Sequence, residues 1–347
     1  MNNKERVLAT LKGEPTDQLP YIPRLDLWYK ANKVRGTLPD QYRNASLFDI
    51  VDDLGIGYHH VVPDFLDFID PLDELDRCLG IYRLRTLPYR ILLRGIKRNV
   101  FYDGDVTTVE YITPYGNVSG KVLYDDSMRR AGVTITHVFE QVIKSVEDYK
   151  AVAYIFENAE VLPAYDQYLI AKEEVGDRGV AVAWVSLSGS PMHLIQKELM
   201  SYELFFYELY DHPNLAAAAD VLHGNNKFLL THTDGENKGL LECYLESRID
   251  IADSICPAPM TSLTLKEARE AFNGKITIWG GIPSISVLEN SMSDYEFEAY
   301  LDRVFSEEIG RGDHLILSIA DTTPPDAKFS RIEQIAKLAQ EFGPVRA

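Results

Sequence analysis

In FLLTHTDGENKGLL, residues 228–241, an apolar run stops at His232 and Asp234. Residues i and i+2 of an extended chain project to the same side, so both could reach one metal ion or one substrate atom. Asp321 ends another apolar run, HLILSIADTTPP, 89 residues after His232. If both runs are strands of one sheet, the three residues supply one imidazole and two carboxylates, a set that suits a divalent cation. A plainer reading stays open: His232 is a hydrogen-bonded core histidine, and Asp234 caps the next helix beside Gly235.

Other strand ends add candidates. Cys256, in ADSICPAPMTSL, is a possible soft metal ligand or a small buried filler, and Cys243 in LLECYLESR reads as packing. Gly280 and Gly281 in WGGIPS let the backbone approach a bound cofactor or a neighbouring strand. His59 and His60 end an apolar stretch in GIGYHHVVPDFLDF, with Tyr58 and Asp64 nearby. One of the two histidines could donate a proton while the other packs, or both could cap a strand without chemistry. The same alternatives hold for His193 in SGSPMHLIQ. The chain contains no GxxxxGKS, GxGxxG, HExxH or GxSxG, so nucleotide, zinc-peptidase and serine-hydrolase readings lack their usual support.

The elements that must position these groups follow from the pattern. From about residue 180, apolar runs alternate with amphipathic segments: GVAVAWVSLSGSP, FLLTHTDGE, IDIADSICPAP, KITIWGGIPS and HLILSIADTTPP each precede one. Strand-then-helix repetition predicts parallel strands with crossover helices, and near-continuous apolarity predicts strands covered on both faces. The fold class expected is α/β, a closed (β/α)8 TIM barrel, with an open doubly wound sheet as the alternative. Within TLKEAREAFNG, Thr264 and Glu267 form a capping box and Gly274 ends the helix; SDYEFEAYLDRVFSEEIG has the same design. Residues 91–137 change to β-like segments with a turn signal at Pro114 and Gly116, predicting an antiparallel insertion within a single 1–347 domain.

Composition limits the partners. A net charge of −18 would repel phosphate backbones and anionic lipid, so neither nucleic acid nor a membrane surface is an expected partner. Three scattered cysteines, Cys78, Cys243 and Cys256, suit a reducing compartment. The opening MNNKERVLATLKGEPTDQ has no signal-peptide core, and the expected location is cytoplasmic.

With these residues in place, the chain resembles the uroporphyrinogen decarboxylase superfamily over most of its length. The matching segments are NNKERVLATLKGEPTDQLPY, the HTDG strand end, GGIPS and LILSIADTTPPDAKFSRIEQIAKLAQEFG. The resemblance implies a (β/α)8 barrel. The decarboxylase branch carries an Arg-Gln-Ala-Gly-Arg motif that the corresponding PRLDLWYKANKVRGTLPDQY lacks. In the corrinoid-dependent methyltransferase branch, a His-x-Cys pair and a later Cys hold zinc; here His232-Thr233-Asp234 and Asp321 stand at those positions. The resemblance therefore implies a harder, more electrophilic divalent metal, zinc in the family, and transfer of a methyl group from a methylated donor such as a methyl ether to cob(I)alamin. His59 or His60 would donate a proton to the leaving oxygen. No Asp-x-His-x-x-Gly corrinoid signature is present, so the corrinoid would arrive on a partner protein. The alternatives are a metal-independent decarboxylase of a small carboxylate or porphyrinogen-type substrate, and a non-catalytic ligand-binding barrel.

Overall fold

Helix starts are set locally. Thr264 accepts from the Glu267 amide while the Glu267 carboxylate accepts from the Thr264 amide, and Ser293 and Glu296 repeat the exchange, so each helix begins with its orphan donors satisfied. A computed structural model describes residues 1–62, 75–84, 87–133, 135–183, 194–201 and 228–345. His193, Asp64 and the part of GVAVAWVSLSGSP from residue 184 lie outside the described residues.

The described residues form a mixed α/β structure with both parallel and antiparallel sheets. Its strands are β1 (Tyr58–Val62), β2 (Tyr89–Leu93), β3 (Lys97–Asp103), β4 (Val106–Thr113), β5 (Gly116–Leu123), β6 (His137–Glu140), β7 (Ala159–Pro163), β8 (Gly179–Ala183), β9 (Leu230–His232), β10 (Ile251–Ile255), β11 (Thr277–Ile282) and β12 (Leu315–Ile319). None of the described helices is long and apolar enough to cross a membrane. The chain divides into two compact units.

The first unit gathers residues 1–60, 175–181 and 214–347. Its main sheet is parallel, in the order β12-β11-β10-β9. Every residue of β10, β11 and β12 is buried, as strands covered on both faces require. Residues 20–22 extend the pairing: the Ile22 amide donates to Leu317 O and the Leu317 amide to Pro20 O, both at 2.9 Å. The Gly57 amide then donates to Tyr21 O at 3.0 Å, just before β1, and β1 pairs with β8. Among the described residues of this unit, Trp28, Trp279, Phe272 and Phe297 are the largest apolar side chains that are fully buried.

The second unit, residues 61–174 and 182–213, holds the antiparallel strands. β3-β4-β5-β6 form one antiparallel sheet from Lys97 to Glu140, and Thr113 pairs with Gly116 across a two-residue turn at Pro114 and Tyr115. β2 pairs antiparallel with β7. Val109, Tyr111, Val118 and Val122 point from β4 and β5 into a core shared with Cys78, Leu79 and Ile155. Buried beside it, Arg77 contacts Glu198 at 2.6 Å, and the Tyr82 hydroxyl donates to the same carboxylate at 3.1 Å.

Candidate metal centre

The centre is built by register. His232 pairs with Asp253, Asp253 with Trp279, and Trp279 with Ile316, so one residue from each of β9, β10, β11 and β12 lies in a single row. Neighbours in such a row share a face of the sheet. Consequently His232 Nδ1 donates to Asp253 Oδ2 at 2.7 Å. After Asp253 the pairing resumes at Ile255 with Gly280, leaving Ser254 as the extra residue of a bulge, with φ 70°. Asp321, just past β12, is also left-handed at φ 58°. Non-glycine residues seldom adopt this conformation, and two of them border one site.

Beyond the row, His232 Nε2 lies 3.0 Å from Asp321 Oδ1 and 3.4 Å from Asp234 Oδ1. The three ligand-type atoms lie within 4.8 Å of one another. Donors bound tetrahedrally to zinc at about 2.0–2.2 Å sit roughly 3.3–3.6 Å apart, so modest side-chain rotation would serve a cation. The donor set and its outer partner also fit: a ligating histidine ordinarily gives its second N–H to a carboxylate, as His232 gives Nδ1–H to Asp253. His232 is 12% exposed, whereas Asp234 and Asp321 are 68% and 48% exposed, so the face opposite the imidazole opens to solvent.

Electrostatics agree with a site poised for positive charge. Burial alone would push the His232 pKa down, but hydrogen bonds to Asp234, Asp253 and Asp321 outweigh it and raise the value from 6.5 to about 11. The bond to His232 holds Asp234 below the usual carboxylate range despite its partial burial. Arg24 is buried, which disfavours its charge, yet Asp26 at 3.5 Å, Asp321 at 3.6 Å and nearby Asp253 hold it protonated. A cation at Nε2 would displace the imidazolium proton.

The sequence candidates separate here. His232, Asp234 and Asp321 come together; Cys256 is buried, absent from the group, and its thiol is pushed up to about 11 by burial. His59 and His60 alternate across β1: His59 stacks on Trp279 at 4.1 Å, while His60 lies beside Tyr58, whose ring meets Phe48. Burial, then the charges of Arg24, His232 and His60, drive the His59 pKa well below 6.5, so it carries no imidazolium proton near neutral pH. Gly280 and Gly281 are explained by packing: a Cβ on Gly280 would lie 2.6 Å from Ile255 O, and one on Gly281 3.2 Å from the Leu265 side chain. Cys243, expected to pack, is exposed, because the helix Leu241–Glu246 buries Tyr244 instead. Asp253, Ser254 and Arg24 were not anticipated. The one available signal was Asp253, an acid inside an apolar run that has to be paired if buried.

The chain matches none of the known protein-family models searched and none of the curated proteins searched.

Proposed function

We propose that the first unit is a (β/α)8 barrel and that the protein is the methyltransferase component of a corrinoid-dependent demethylation system, the reading implied by the uroporphyrinogen decarboxylase superfamily resemblance. The parallel run from β9 to β12 and on to residues 20–22 supports the barrel. The observation that carries the function is the convergence of His232, Asp234 and Asp321 at the ends of parallel strands, where barrel chemistry collects.

A divalent cation bound there, zinc by the resemblance, would supply a Lewis acid for the oxygen of a methyl ether. The chain's own residues prepare the place. Asp253 fixes the imidazole tautomer that leaves Nε2 free of its proton once a cation binds. The exposed edges of Asp234 and Asp321 admit the methyl donor, and water can reach its leaving oxygen there to return a proton. Such a system would supply transfer of the methyl group, as a methyl-cation equivalent, to cob(I)alamin on a partner corrinoid protein; the ether oxygen would keep the bonding pair and, taking a proton from water, leave as a hydroxyl. Buried Arg24 favours a second reading, since a guanidinium at the same strand ends is a group that could grip a substrate carboxylate for decarboxylation.

Elemental analysis tests the reading first. The wild type should carry about one equivalent of zinc or another divalent ion, lost in an Asp234→Ala, Asp321→Ala double variant. The loaded protein should then alkylate cob(I)alamin from 2-methoxyphenol, followed by the absorbance of methylcobalamin. A metal-free protein that binds none when supplied refutes the reading, and carbon dioxide release insensitive to chelator establishes the decarboxylase instead.

A further inference from the structure

We infer that Ser254 is a positioning residue of this centre, its single hydroxyl setting the spacing of the two carboxylates. The inference rests on the metal reading above and concerns a residue that neither binds the cation nor touches substrate. The Ser254 hydroxyl accepts from the Asp321 amide at 2.8 Å and reaches toward Asp234 Oδ1 at 3.5 Å. A hydroxyl can accept and donate at once, so one side chain can serve both partners.

The topology explains why such a link is needed. Asp234 follows β9 and Asp321 follows β12, the two edges of the order β12-β11-β10-β9. Among the described residues no hydrogen-bonded ladder joins those edges directly, and the Asp234 and Asp321 side chains are 68% and 48% exposed, so packing alone does not hold them. Ser254 projects from β10, between them, at the bulge that takes it out of the alternating pattern. Its bond to the Asp321 amide also pins the residue whose left-handed backbone aims the carboxylate at His232 Nε2, 3.0 Å away.

The backbone and the hydroxyl can be tested separately. At φ 70° glycine fits with less strain than serine, so Ser254→Gly should relieve the bulge while deleting the hydroxyl. If the residue only shapes the strand, the variant should behave as wild type or better. If it positions the carboxylates, zinc affinity should fall roughly tenfold or more, the range for partners of metal ligands. The visible spectrum of the cobalt(II)-substituted protein should shift as well, while the thermal midpoint of chelator-treated protein holds or rises. Ser254→Ala, which keeps a side chain at the same backbone angle, should lose zinc affinity similarly and melt slightly lower. Zinc affinity within twofold of wild type and an unchanged cobalt spectrum in Ser254→Gly overturn the inference alone. A wild type that binds neither zinc nor cobalt overturns it together with the metal reading.

Discussion

Glu198→Ala removes a carboxylate that is 1% exposed and sits 2.6 Å from Arg77, itself 4% exposed. Intact, the pair adds little over well-packed apolar residues, because desolvating two charges offsets most of their attraction. Broken on one side, it leaves the Arg77 charge buried without this carboxylate, and the Tyr82 hydroxyl loses this acceptor while its ring still lies 4.4 Å from the guanidinium. The expected cost is about 3–5 kcal/mol. With a urea slope of about 1–3 kcal/mol per molar, the midpoint should drop by roughly 2 M. The assay is urea unfolding by circular dichroism, with amide exchange in β4 and β5 reporting the second unit. Glu198→Gln, which keeps the shape and an acceptor, should lose less. The double variant Arg77→Met, Glu198→Leu should return to within about 1 kcal/mol of wild type. A midpoint shift below about 0.5 M for Glu198→Ala at unchanged slope would refute the claim that this pair is effectively desolvated.

Other tests follow from the centre and its sheet. Asp253→Asn should weaken zinc binding about 10–100-fold in chelator competition, because the imidazole loses the carboxylate that fixes its tautomer; undiminished affinity would remove Asp253 from the outer shell. Gly280→Ala should lower the melting temperature by an amount equivalent to about 1–3 kcal/mol, since its Cβ would lie 2.6 Å from a backbone oxygen at φ 151°; a wild-type melt would show that β10 and β11 can separate. In chelator-treated protein, the stability contributed by His232 should be fully present below pH 6.5 and decline as pH rises toward 11, because its folded pKa is raised. Subtracting the pH profile of His232→Asn isolates this limb, and a difference that grows with pH would contradict the assigned ion pairs.

Much of the scaffold was legible because its signals are local. The boxes at Thr264–Glu267 and Ser293–Glu296 need only four residues each, and the apolar runs at β10, β11 and β12 announce strands buried on both faces. The pairing of His232 with Asp234 followed from two-residue alternation, and Asp321 from its place at the end of an apolar run. What could not be read depends on register. Nothing in IADSIC says that Asp253 will stand opposite His232, or that the strand will bulge one residue later. The pairing of residues 20–22 is not legible because a single bridge at Tyr21, with only two residues between Pro20 and Pro23, is too short to show a period, and Arg24 beyond it inherits its place from that pairing. The adjacent histidines His59 and His60 looked equivalent, yet alternation sends them to different neighbours.

The parallel bridge between Tyr21 and Leu317 joins residues 296 positions apart. On a ribosome adding about 5–20 residues per second, Tyr21 is made roughly 15–60 s before its partner. Throughout that interval the segment Pro20–Ile22 has no β12 to receive its backbone hydrogen bonds, and the nascent sheet keeps an open edge. The centre shares that delay, because Asp321 is synthesised four residues after Leu317. On the proposed metal reading, a cation can therefore find His232, Asp234 and Asp321 together only after residue 321 has been made, long after the first of the paired strands.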